Sequence, residues 1–171
     1  MRPGRIGGIA DFSAGEVWRQ AGARLTIATP GQGFTDVTGA VAEFLARSGV
    51  AEGLVTVFCR HTSASLTIQE NADPDVQADL MTALDGLAPR HSGYVHGAEG
   101  PDALQSRSRY IHTAEGPDDM PAHIRTMLTD SSLSIPVIGG RLALGTWQGI
   151  YLIEHRDRPH RREIVLRVMG T

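Results

Sequence analysis

The chain has 171 residues, 41% hydrophobic and 20% charged, which is one ordinary domain of globular composition, large enough for its own core. All 16 basic residues are arginine, so a Schiff-base or pyridoxal-phosphate lysine and a Walker phosphate loop are excluded. A net charge of -3 argues against nucleic acid or an anionic membrane as partner, and the single Cys59 excludes an intrachain disulfide or an all-cysteine zinc site.

The first 14 residues lack the apolar stretch of a secretory signal and read as a flexible leader to one domain over 15–171. No apolar run reaches the length of a membrane-spanning helix, so a cytoplasmic location is expected. Arg24-Leu25-Thr26-Ile27 alternates as a half-buried strand, and Phe34 to Val37 forms a second after the Pro30-Gly31 break. Thr38 is placed to cap a short helix carrying Val41, Phe44 and Leu45, stopped by Gly49. Leu54 to Phe58 is a buried strand running into Arg60-His61-Thr62-Ser63-Ala64-Ser65, then Leu66-Thr67-Ile68.

Asp73-Pro74-Asp75 is a strong helix start, and Val76, Leu80, Leu84 and Leu87 make the helix's apolar stripe before Gly86 ends it. Ala88 to Asp119 shows no useful period, and a loop that long inside a domain tends to be functional. A further helix runs from Met120-Pro121 to about Leu128. Strands follow at Leu133–Val137, Arg141–Leu144, Trp147–His155 and Glu163–Met169, with hairpin signals at Gly139-Gly140 and Asp157-Arg158-Pro159. Two or three helices among about seven strands, without regular β-α alternation, predict an α+β sandwich.

The long loop contains a tandem repeat. Tyr94 to Asp102 recurs as Tyr110 to Asp118 with seven of nine positions identical, so 94–109 reads as a duplicated insertion. Only the second copy continues into another histidine, His123. His112 and His123, with Glu115, Asp118 and Asp119 between them, supply the nitrogen and oxygen donors that suit zinc or manganese. Helix capping by Asp118 or Asp119 explains the carboxylates equally well, and the two roles are compatible. The segment Arg60 to Ser65 groups a cation, an imidazole and three hydroxyls, suited to phosphate or to a turn that satisfies its own backbone. Cys59 reads as a buried hydrophobe. Glu154 shares a strand face with Ile150 and Leu152, so it must be paired, ligating, raised in pKa or at a wet strand end. Arg156, Arg158, Arg161 and Arg162 read as a solvated hairpin tip.

His61-Thr62-Ser63-Ala64-Ser65-Leu66-Thr67, with Glu70-Asn71 and Asp73-Pro74 behind, resembles the first signature of the YjbQ family of secondary thiamine-phosphate synthases. Tyr110-x-His112 through Asp118-Asp119-Met120-Pro121-Ala122-His123-Ile124 resembles the second, and Gly140-Arg141 with Gly145 to Ile150 and Glu154 the third. The likeness runs from about Val17 to Gly170. The leader and the first repeat copy depart from the pattern, so the family's role passes to His112 and not to His96. The resemblance implies an α+β domain with a mixed sheet, assembled as a homotrimer with sites near subunit boundaries. It also implies joining of a hydroxymethylpyrimidine diphosphate to a thiazole phosphate with release of pyrophosphate, as a side activity.

On that resemblance His112 and His123 hold a divalent metal (zinc, magnesium or manganese), with His61 a further candidate ligand. His61, Asn71, Asp73 and Glu154 form the catalytic group. Thr62, Ser63 and Ser65 receive phosphate, and Trp147 and Gln148 line the substrate. The competing expectation is a trimeric metal- or phosphometabolite-binding protein without dedicated catalysis.

Overall fold

The computed structural model describes residues 14–90, 110–112 and 114–171. The leader up to residue 13 and the repeat copy at 94–109 lie outside the described residues. Eight strands and three helices follow in the order β1 Arg19–Thr29, β2 Gly33–Asp36, α1 Thr38–Ser48, β3 Gly53–Cys59, β4 Ala64–Glu70, α2 Pro74–Leu87, α3 Asp119–Leu128, β5 Ser132–Ile138, β6 Arg141–Leu142, β7 Gln148–Glu154 and β8 His160–Gly170. They form a five-stranded sheet, β1-β8-β3-β5-β6, and a three-stranded sheet, β2-β7-β4. The α+β class and the sandwich are as the sequence implies. The mixed sheet is not: every strand pairing among the described residues is antiparallel.

Period-two alternation fixes the inner face. In β5 (Ser-Leu-Ser-Ile-Pro-Val-Ile) Leu133, Ile135 and Val137 are buried while the residues between them are exposed. Those three meet Val55 and Val57 of β3, Ile164, Leu166 and Val168 of β8, Ile150 and Leu152 of β7, and Val41 and Leu45 of α1 in one core. Cys59 belongs to this core at 2% exposure, and burial pushes its thiol pKa up.

The helix boundaries follow the caps. Asp73 accepts the N–H of Asp75 at 2.9 Å, with Pro74 at the first helical position of α2. Gly49, at φ 69°, ends α1 in the left-handed conformation. Gly139 and Gly140, at φ 56° and 73°, make the two-residue turn between β5 and β6. Two expectations give way. Val37, not Thr38, occupies the α1 cap position, because the Thr38 hydroxyl instead accepts the N–H of Ile150 at 2.8 Å and ties α1 to β7. Gly86 lies inside α2, which continues to Leu87.

Candidate metal centre

Asp119 and His123 sit four residues apart on α3, so they share one helix face. The segment ending the long loop brings His112 against them. Asp119 is almost fully buried, and its Oδ2 lies 2.6 Å from His112 Nε2 and 3.4 Å from His123 Nε2. The three donor atoms lie within 4.8 Å of one another.

The position of His123 is set from behind. Its Nδ1–H donates to the carbonyl of Thr62 at 2.9 Å, which leaves Nε2 facing the Asp119 carboxylate. Two acceptors facing each other require a proton or a cation between them. The other Asp119 oxygen, Oδ1, takes Arg156 Nη1. Arg156 also donates from Nε to Asp118 Oδ2 at 3.0 Å and from Nη2 to the Glu115 carbonyl at 2.7 Å. One guanidinium therefore orients the carboxylate and pins the histidine-bearing loop to α3. Burial pushes the Asp118 pKa up, but the Asp157 N–H and Arg156 outweigh it and hold the carboxyl below its ordinary value. Asp118, Arg156, Arg158 and His160 line a cleft of about 550 Å³ beside the centre.

Arg156 is thus not part of a solvated hairpin tip, and neither is Arg162, which is 5% exposed. Arg162 clamps Glu154 with Nε–Oε2 at 2.6 Å and Nη2–Oε1 at 2.5 Å. The Thr29 hydroxyl and the Arg156 N–H complete the Glu154 carboxylate at 2.8 and 3.0 Å. Burial raises the Glu154 pKa, yet these partners reverse the shift and keep it ionised. Of the sequence's options for Glu154, pairing is the one realised.

The remaining candidates scatter. His61 is not beside the centre: its Nε2 accepts the N–H of Glu163 at 2.8 Å, so that nitrogen is committed to β8. Burial, then Arg162, lowers its pKa. Thr62 reaches the centre through its carbonyl. Ser63 gives both its hydroxyl and its carbonyl to Arg162. Ser65 is wholly buried, sharing its hydroxyl with His155 Nε2 at 2.8 Å and Thr129 at 2.7 Å, so the expected phosphate contact fails for want of access.

Asn71, Asp73, Trp147 and Gln148 occupy the opposite end of the three-stranded sheet. The register pairs Ala64 with Glu154 near the centre and Glu70 with Gln148 at the far end, about 20 Å away at the rise of a strand. There Asn71 donates to the Gln148 carbonyl, and the Gln148 side chain accepts the Gly145 N–H at 2.8 Å. Sequence reasoning placed Asp119 only among flanking carboxylates, although its spacing of four to His123 was the available signal. It missed Arg156 as a partner, because that contact exists only once β7 returns beside α3.

Fold and site together define a class: an antiparallel α+β sandwich carrying a two-histidine, one-carboxylate cluster at the start of a helix. The YjbQ-like UPF0047 family pattern matches residues 23–171, and the chain belongs to that family. It is 47% identical over 160 residues to UPF0047 protein sll1880 of Synechocystis, covering 93% of this chain and 98% of that protein. It is 35% identical to UPF0047 protein YugU of Bacillus subtilis over 135 residues, 79% of this chain and 88% of that protein. The solved structure of TT1486 from Thermus thermophilus is similar at TM-score 0.67 and 37% identity, covering 84% of this chain and 97% of that one. A YjbQ/UPF0047 protein of Clostridium acetobutylicum is similar at TM-score 0.64 and 34% identity, covering 86% and 98%. No helix among the described residues is long and apolar enough to cross a membrane.

Proposed function

We propose that His112, Asp119 and His123 hold a divalent cation and that the protein uses it on a phosphorylated small molecule. The observation that carries this reading is the convergence of His112 Nε2, Asp119 Oδ2 and His123 Nε2 within 4.8 Å of one another, with His123 Nδ1 already committed to Thr62. Two imidazoles and a carboxylate suit zinc, manganese or iron, with positions left for substrate. A cation held by His112, Asp119 and His123 would supply Lewis-acid assistance to a phosphate oxygen, which suits release of pyrophosphate. Thiamine-phosphate synthase chemistry, implied by the resemblance, is the specific form proposed. Asp119 fixes the charge of the centre, Thr62 and Arg156 orient its donors, and Arg158 and His160 border the entrance.

A second reading, a binding protein without dedicated catalysis, is favoured by the separation of Trp147, Gln148, Asn71 and Asp73 from the centre within one chain. Homotrimer formation is proposed with either reading. Its support is apolar surface near the centre and α2: Leu87, Ile111 and Met127 are 67%, 102% and 84% exposed.

The test is zinc binding by the metal-stripped chain, followed by thiamine phosphate formation from both precursors. Wild type that binds zinc and forms product, with His123→Ala losing both, supports the enzyme. Zinc binding without product leaves the binding protein, and no zinc binding removes both metal readings.

A further inference from the structure

His61 was marked by its motif, yet the metal centre does not use it. Its Nε2 accepts a backbone N–H from Glu163, so the single proton of the neutral ring sits on Nδ1 and that nitrogen is a donor. His61 lines a cleft of about 510 Å³ with Thr26, Arg60, Arg161, Arg162 and Glu163. The cleft opens on the outer face of the five-stranded sheet, away from the side of β7 that faces α3.

Donors and acceptors in this cleft do not balance. Arg162 points inward and is consumed by Glu154 and Ser63. Glu163, the one carboxylate of the lining, takes Arg60 at 2.5 Å and lies 3.9 Å from Arg24. Three donors remain without an acceptor among the described residues: the Arg161 guanidinium, the His61 Nδ1–H and the Thr26 hydroxyl. Arg24, Arg60 and Arg161 against Glu163 leave two positive charges on a chain whose net charge is -3. A planar fork from β8, a hydroxyl from β1 and an imidazole N–H from the turn after β3 suit a tetrahedral oxyanion, and two positive charges match a phosphate monoester, about -2 at neutral pH.

We propose that the cleft between β1, β8 and the end of β3 is a phosphate-binding site, its ligand held by Arg161, His61 and Thr26, with the Glu163-paired Arg60 beside it. The site stands apart from the metal centre and does not depend on it. His61 acts here as an oriented neutral donor.

Calorimetric titration of the full chain, stripped of metal with a chelator, tests it with inorganic phosphate, glycerol phosphate and nitrate in the millimolar range. Both phosphates should bind and nitrate should not; glycerol phosphate binding more tightly than inorganic phosphate would identify an ester as the ligand. Arg161 is exposed and unpaired, so Arg161→Gln folds normally, and the loss of one charge-assisted contact should weaken phosphate by about tenfold or more. His61→Leu keeps similar bulk but removes the Nδ1–H donor together with the acceptor of the Glu163 N–H, so phosphate should weaken there too. His112→Ala, altered only at the metal centre, should bind phosphate as wild type does. Absence of phosphate binding by the stripped chain overturns the proposal. Binding that Arg161→Gln and His61→Leu leave unchanged overturns it as well. Neither outcome bears on whether zinc binds at His112, Asp119 and His123.

Discussion

Replacing Arg162 by methionine removes the cation from Glu154 and leaves that carboxylate, 1% exposed, with only the Thr29 hydroxyl and the Arg156 N–H. The lost contacts are the two hydrogen bonds at 2.5 and 2.6 Å, together with those to Ser63. Breaking a buried pair from one side costs about 3–5 kcal/mol, chiefly the expense of an uncompensated charge. At about 2–4 °C per kcal/mol for a chain of this size, the melting midpoint should fall by about 10 °C. The sign of the pH dependence is diagnostic. In wild type the Glu154 pKa lies below its ordinary 4.5, so its contribution is complete above that value and is lost on acidification. In Arg162→Met the same carboxyl is buried without a cation and its pKa is raised. Protonation then relieves the cost, and the deficit against wild type shrinks as pH falls. Urea denaturation by circular dichroism at several pH values reads both effects, and Glu154→Gln in the Arg162→Met background should recover more than half of the loss. A single variant within about 1 kcal/mol of wild type, or a deficit that grows toward acid, would refute the assignment of Glu154 as a structural ion pair.

Three more outcomes are expected. Burial, then Arg125, lowers the His155 pKa to about 4 from 6.5. The unfolded chain therefore binds the extra proton first, and stability falls from pH 6.5 to about 4 by up to about 3 kcal/mol; His155→Gln should flatten urea-unfolding curves in that window. Arg156→Gln keeps all three proposed ligands but frees Asp119 Oδ1, so zinc affinity measured by competition with a chromophoric chelator should drop about 10- to 100-fold. Gly53→Ala drives a methyl to 2.1 Å from the Met169 carbonyl, and thermal melting should show a loss of about 1–3 kcal/mol.

The elements legible in the sequence were those whose signal is local. β5 announced itself by strict alternation and α2 by Asp73-Pro74, because a pleat and a cap involve residues within a turn of each other. The pairing of His112 with His123 was also legible, since the loop and helix that carry them are close in sequence. Glu154 and Arg162 were each noticed, but their ion pair depends on the turn between β7 and β8 returning the chain inward, which no spacing encodes. Ser65 failed as a phosphate contact for a related reason. Alternation along β4 says only that Ser65 lies opposite its two neighbours, and the three residues Ala64, Ser65 and Leu66 are all fully buried. The second face is closed by the end of α3, where Thr129 reaches Ser65 and Asp130 pairs with Leu66. The end of a helix 64 residues downstream thus decides whether a serine in a hydroxyl-rich motif meets solvent.

The same closure explains why one continuous motif serves three places. Over Arg60 to Ser65 the chain leaves β3, crosses between the sheets and enters β4. Arg60 and His61 consequently stay on the outer face of the five-stranded sheet, where Glu163 receives them. The Thr62 carbonyl turns to His123 of α3, and Ser63 takes the buried Arg162. Neighbours in sequence therefore face two clefts and one interior ion pair. A substitution at Thr62 that shifts its carbonyl should disturb the His123 ring and leave His61 in place, whereas loss of Ser63 should be felt first by Glu154. The residues of the motif act as partners of three different downstream elements, and the chemistry assigned to it as a unit has to be divided among them.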